Sequence, residues 1–248
     1  MDVLPLFGDS LTAGRIGIAY NRYLPFKTLA RGIEGEIWHL TYNRLEQAAS
    51  LSPLTVAVLQ SGANDLLIPH MRKTNQLWAA AAKVSGRDRF TPLADDQQFL
   101  PLFAQSLQTL RTTYPQLSLI ICSITPIGEQ LDSELNRKRQ QRNRQMHQIV
   151  EQIPSYIWCD IAKDWEKTIK QQTIQSPYLL GTPASLEQDA MKIGGNEQKA
   201  EALATQRGLC VTVDGVHPNT LGARLIASAI TTAVQAAHFT VGPSFSTL

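Results

Sequence analysis

The chain has 248 residues and 43% hydrophobic content, enough to bury one substantial core. A formal net charge of +2 and a pI near 8.4 give no pull toward nucleic acid or an anionic membrane surface. The three cysteines, Cys122, Cys159 and Cys210, are odd in number and irregularly spaced, which argues against a disulfide framework or a thiolate metal site and predicts reduced, buried thiols.

Met1 is followed almost at once by an apolar run, which leaves no room for a signal peptide, and no later run approaches the ~20 apolar residues needed to span a bilayer. A soluble, cytoplasmic protein with no stable membrane insertion is expected. Taken in order, short apolar runs at 3–7, 26–30, 54–60, 117–122 and 156–161 predict five strands. Between and after them, 37–49, 97–113, 133–153 and 220–237 carry apolar residues at helical intervals, as in Leu221, Leu225, Ile226, Ile230 and Val234. Strands alternating with helices predict an α/β chain: a three-layer α/β/α sandwich around a mostly parallel five-stranded sheet. Pro5 removes a ladder donor, so the first strand is expected to be short or locally irregular.

Two segments exceed what such a fold requires. Residues 66–96 hold the stretch from Trp78 to Ala82 and a polar turn from Ser85 to Arg89; residues 164–208 hold Pro177, Tyr178, Gly181, Pro183, Gly194 and Gly195. Both border strand ends, where long excursions commonly form lids or substrate walls, and they are expected to set substrate range. With no repeat or linker in evidence, residues 1–248 read as one domain.

The chemistry begins where the first strand ends, at Gly8-Asp9-Ser10-Leu11. A serine hydroxyl needs a base to take its proton, and that base needs a carboxylate to hold its tautomer. Ser10, His217 and Asp214 supply those three parts, the last two in Asp214-Gly215-Val216-His217-Pro218. An oxyanion needs fixed donors, for which Gly35 and Asn64 are candidates beside the Ser10 amide. Ser10, Gly35 and Asn64 each follow a predicted strand, and open parallel sheets bind ligands outside the carboxyl ends of their strands. Pro218 falls near the first turn of the last helix and Asn219 is a possible cap, which puts His217 on the approach to that helix.

These stretches together resemble the SGNH hydrolase superfamily, also called the GDSL lipase/esterase family. Ser10 matches the nucleophile of its first motif block. Arg31-Gly32-Ile33-Glu34-Gly35-Glu36 resembles the second, whose glycine amide is an oxyanion donor; Gly35 fits that role and Gly32 is the runner-up. Gly62-Ala63-Asn64-Asp65 matches the third, and Asp214 with His217 the last. The resemblance runs from residue 3 to about residue 235 and implies a flavodoxin-like sheet and a serine ester hydrolase. It also implies no cofactor.

Each residue also has a plainer reading. Ser10 could be only a helix cap and Asn64 only a turn residue, while Asp9 is expected to brace its turn through backbone amides and Asp65 to be structural. His39 and His70 are reserves as substrate contacts. Arg137, Lys138, Arg139, Arg142 and Arg144 are read as the solvated face of a helix in preference to a phosphate or RNA contact. Trp78, Trp158 and Trp165 are read as core or lid residues before stacking platforms. No zinc-binding array is present. The expected reaction is hydrolysis of a small-molecule or lipid ester through an acyl-serine; an acyltransferase using the same intermediate is the alternative, and a binding module with idle motifs is a weaker one.

Overall fold

The structure, a computed structural model, describes residues 3–84 and 91–241. The predicted polar turn from Ser85 to Arg89 lies outside the described residues. In chain order the elements are β1 (Leu4–Gly8), α1 (Ser10–Ala13), a 3-10 turn (Tyr20–Tyr23), β2 (Thr28–Gly32), α2 (Trp38–Leu51), β3 (Val56–Gln60), α3 (Ala63–Thr74), α4 (Gln76–Val84) and α5 (Asp96–Thr113). They continue with β4 (Ser118–Cys122), α6 (Glu134–Glu151), β5 (Tyr156–Cys159), α7 (Ala162–Lys170), α8 (Pro183–Ile193), α9 (Glu197–Gln206) and α10 (Thr220–Val241).

The five strands form one sheet in the order β2-β1-β3-β4-β5, with every neighbouring pair parallel. Every residue of β1, β3 and β4 is buried, which accounts for the unbroken apolar runs in the sequence. Helices α2, α5 and α6 pack in a row on one face, and α10 covers β4 and β5 with α7 beside it. Trp38 at the start of α2 sits 4.6 Å from Phe103 and 6.2 Å from Phe99, both on α5. Aromatic pairs of this kind add about 0.5–1.5 kcal/mol beyond the area they bury, and here they pin the end of α2 next to the loop that carries Gly35.

Pro5 is accommodated without a bulge. Leu4 donates its N–H to Lys27 O on the β2 side, so the alternation of a strand turns the Pro5 nitrogen toward β3. Pairing with β3 begins only at Leu6, and the missing donor breaks no ladder bond. β2 runs two residues later than its apolar run suggests, because it is an exposed edge strand whose limits are set by pairing Thr28 to Gly32 against Leu4 to Gly8. The order of strands reverses direction between β1 and β3, and a crevice opens there at their carboxyl ends.

Candidate active site

Ser10 is the first residue of α1. Asp9 caps this short helix, its Oδ1 accepting the Leu11 N–H at 3.0 Å, as expected of a turn-bracing carboxylate. Behind Asp9 lies a buried polar chain. Gln60 Nε2 donates to Asp9 Oδ2, Thr12 Oγ1 donates to Gln60 Oε1 at 3.1 Å, and the Thr12 and Tyr20 hydroxyls bond each other at 2.9 Å. Burial pushes the Asp9 carboxyl up to about 7, against the pull of the Leu11 amide and of nearby His217. Gly32 lets β2 approach this turn: a Cβ there would lie 2.0 Å from Ala13 N and 2.6 Å from Asp9 O.

The loop before α10 carries the other two members. His217 Nε2 lies 3.0 Å from Ser10 Oγ, and His217 Nδ1 lies 2.7 Å from Asp214 Oδ2. Asp214 Oδ1 also accepts the amides of Val216 and His217, at 2.9 and 2.8 Å. All three side chains are buried. For His217 burial works against the charged form, but the charge and hydrogen bond of Asp214 outweigh it and hold the imidazole above its ordinary value of 6.5. Burial likewise raises Asp214, and its bonds and charge interaction with His217 reverse the direction and hold it low. Asn219 caps α10 by accepting the Gly222 N–H at 2.9 Å, and Thr212 pairs with Pro218 to close the loop at its base.

A residue that sequence reasoning did not single out holds this loop. Glu129, 2% exposed, accepts the Cys210 amide on Oε2 at 2.7 Å, and on Oε1 the Val211 and Thr212 amides at 3.0 Å each and the Thr212 hydroxyl at 2.7 Å. Thr212 Oγ1 in turn accepts the Gly215 N–H, and Gly128 N donates to Gly215 O. The segment after β4 therefore grips the Asp214–His217 loop at several points. In sequence the only signal is a carboxylate just beyond a strand's carboxyl end.

Opposite His217 stand the expected oxyanion donors. Neither the Ser10 nor the Gly35 N–H has an acceptor among the described residues. Asn64 Nδ2 donates one hydrogen to Glu36 O at 2.9 Å and has a second to offer. Gly62, at φ +105°, is the N-cap of α3 just past the end of β3 and turns Asn64 into the crevice. The Gly35 loop is fixed by Glu36, whose carboxylate takes bonds from Thr41 and Arg44, while Arg44 also reaches Arg31 O and Gly8 O. Asp65 accepts the Trp38 and Leu93 amides at 2.8 and 2.9 Å, a structural role as expected. Gly32, the runner-up to Gly35, packs beneath α1 and does not line the cleft.

Ser10, Gly35, Asn64 and His217 line one cleft of about 340 Å³. Residues 66–96 contribute Leu67, Ile68, Met71, Arg72, Trp78 and Ala81 to its wall, and residues 164–208 contribute Leu180, Pro183, Leu186 and Glu187. A larger cleft of about 640 Å³ adjoins it through Met71 and Leu180, and another of about 730 Å³ lies elsewhere; neither contains any of the four residues. His39 and His70 do not line the Ser10 cleft; His70 borders the 640 Å³ one. No cluster of three or more His, Cys, Asp or Glu that could hold a metal occurs among the described residues.

Two expectations need correction. The basic run on α6 is not simply a solvated face: Arg139 and Arg142 are buried on the same stripe as Met146 and Val150. Arg139 pairs with Glu166 at 2.7 Å. Arg142 pairs with Asp96 at 2.6 Å, bonds Leu93 O and Ala94 O, and lies over the Phe99 ring. A guanidinium paired with a carboxylate can be buried along with its apolar stem, although Arg139 Nε and Arg142 Nη1 have no hydrogen-bond partner among the described residues. The three cysteines are free thiols, but only Cys122 and Cys159 are buried; Cys210 is half-buried. Trp165 is core, with Nε1 bonded to Gly222 O, and Trp158 is a half-buried edge residue stacked on His147.

The five-stranded parallel sheet with its crevice at the β1/β3 reversal is the fold of an α/β hydrolase of the SGNH kind. The sequence matches the GDSL-like Lipase/Acylhydrolase family over residues 4–230. The chain belongs to that family and is a carboxylic ester hydrolase. Its fold is similar to that of the acetyl xylan esterase AlAXEase, at 18% identity and TM-score 0.60, over 94% of this chain and 100% of that one. It is also similar to Axe2, an acetylxylan esterase from Geobacillus stearothermophilus, at 18% identity and TM-score 0.57, over 94% of each chain. LAE5, an alpha/beta hydrolase enzyme from the metagenome of Lake Arreo, Spain, shares the fold at 14% identity and TM-score 0.55, over 97% of this chain and 96% of that one. A comparison with curated protein sequences finds no match. Among the described residues, no helix is long and apolar enough to cross a membrane.

Proposed function

We propose that the protein hydrolyses its ester through an acyl-enzyme formed on Ser10. The observation that carries the reading is the hydrogen-bonded line from Ser10 Oγ through His217 to Asp214, at 3.0 and 2.7 Å. Ser10 Oγ attacks the carbonyl carbon as His217 Nε2 takes its proton, and Asp214 holds the tautomer and stabilises the imidazolium. The carbonyl electrons move onto oxygen, which the Ser10 and Gly35 amides and the Asn64 side chain stabilise. His217 then gives its proton to the leaving alkoxide, and the alcohol departs. A water molecule, deprotonated by the same imidazole, attacks the acyl-serine and releases the acid. Besides the ester and that water, every group this reading uses belongs to the chain itself.

The two excursions serve as substrate walls in this reading, because they supply most of the cleft's lining away from the reacting groups. The reading is tested by Ser10→Ala. Wild type should be labelled once by a fluorophosphonate probe, read by intact mass, and should turn over esters; the variant should fold and do neither. A folded wild type that takes no label sinks the serine-esterase reading.

A further inference from the structure

The cleft at Ser10 is lined unevenly. A tetrahedral carbon formed on Ser10 carries three further groups, and two of their directions are fixed: the oxyanion faces Gly35 and Asn64, and the leaving oxygen faces His217 Nε2. The acyl group takes the third. Along α3, Asn64, Leu67, Ile68 and Met71 follow one another at the spacing of a single helix face, so an apolar stripe begins one turn beyond the oxyanion donor. Trp78 and Ala81 of α4 and Leu186 of α8 extend it. The indole has one polar atom, Nε1, and it is already bonded to Gly181 O at 2.8 Å, so Trp78 offers the cleft a hydrophobic ring.

Four charged residues line the cleft beside His217: Arg72, which follows Met71 on α3 and is itself engaged by a neighbouring group, and three that are committed to one another. Arg15 donates Nε and Nη2 to the two carboxylate oxygens of Glu34, and Nη1 and Nη2 to those of Glu187. They form a bracket at the rim and leave few partners for the hydroxyl groups of a sugar. An acetyl group, for its part, would leave most of the α3–α4 stripe facing water. A volume of about 340 Å³ holds about eleven groups the size of a water molecule. With the ester head taking about four of these, about six to eight remain for a chain.

We propose that the stripe is an acyl-chain site, that the acid component of the ester is an unbranched chain of about six to eight carbons, and that Trp78 is the residue that sets its length. This rests on the acyl-serine reading given above. It separates the protein in substrate from the acetylxylan esterases whose fold it shares.

The test measures kcat/KM on two ester series, one lengthening the acid on a fixed alcohol and one lengthening the alcohol on acetate, with fluorophosphonate labelling of Ser10 alongside. Each methylene buried is worth about fourfold, so kcat/KM should climb about a hundredfold or more from acetyl to the optimum and then flatten. Trp78→Ala should move the optimum to longer acids and Ala81→Trp to shorter ones; the opposite directions keep the test readable if one variant fails to fold. An acetyl optimum, a dependence on the alcohol instead of the acid, or an optimum that neither variant moves overturns the proposal, while labelled Ser10 leaves the parent reading standing. Loss of both labelling and turnover on every ester strikes the parent reading itself.

Discussion

Replacing Glu129 by Gln keeps the volume of the side chain and removes one acceptor from a site that has four donors. If the remaining oxygen stays with Val211 and Thr212, the new amide nitrogen faces the Cys210 N–H, donor against donor. A hydrogen bond to a charged group contributes about 1.5–3 kcal/mol, and a buried donor left without a partner costs about 1–3 kcal/mol. A loss of about 3 kcal/mol is expected, which a domain with about 5–15 kcal/mol of stability survives. The effect on rate is separate. The Cys210–Thr212 segment is the base of the loop whose tip puts His217 Nε2 at 3.0 Å from Ser10 Oγ, and a displacement of about 1 Å there costs about a hundredfold. Glu129→Gln should therefore lower kcat by about ten- to a hundredfold with little change in KM, and should slow fluorophosphonate labelling by a similar factor. Urea unfolding, steady-state kinetics and labelling rates measure the three quantities. A variant whose unfolding midpoint and labelling rate both equal those of wild type would refute the idea that this carboxylate positions the catalytic loop.

Other outcomes follow from the same geometry. Because Asp214 holds His217 above 6.5 and the imidazole must be neutral to accept a proton, kcat/KM should rise with pH through a midpoint above that value. Asp214→Asn should lower the midpoint and reduce kcat about ten-thousandfold, as read from a pH profile. Asp9 binds its proton up to about 7 in the folded state but only to about 3.8 when unfolded, so its contribution to stability declines as pH rises through that window. Asp9→Asn should flatten the decline by on the order of a few kcal/mol, measured by urea unfolding at about pH 5 and about pH 8. Gly32→Ala would place a methyl 2.0 Å from Ala13 N, where only backbone could yield. It should cost about 3 kcal/mol or more by thermal unfolding and should weaken labelling of Ser10.

The buried strands were legible because both of their faces are covered, so an apolar run marks each with little shift at either end. β2 was misplaced because half-exposed edge residues carry no such mark. Ser10 and Asn64 were proposed from short local patterns at strand ends, and the Asp214–His217 pair from one just before the last helix. Glu129 was not, since its four partners lie more than eighty residues away in the chain and no periodicity links them. Arg139 and Arg142 were misread for a related reason: a charge count on one helix cannot see Glu166 on α7 or Asp96 on α5.

The grip of residues 128 and 129 on the loop that carries Asp214 and His217 also bears on how this chain can change. The segment 164–208 lines part of the cleft and also holds that loop, Leu180 N donating to Asp214 O at 2.8 Å and Arg207 Nη1 to Val213 O at 2.7 Å, so the loop is anchored both by the segment after β4 and by its neighbour in sequence. Insertions, deletions or grafts that disturb Leu180 or Arg207 should therefore move His217 along with the cleft wall. Leu186 and Glu187 of α8, which line the cleft and carry neither of those bonds, are the natural places to randomise when engineering a new selectivity.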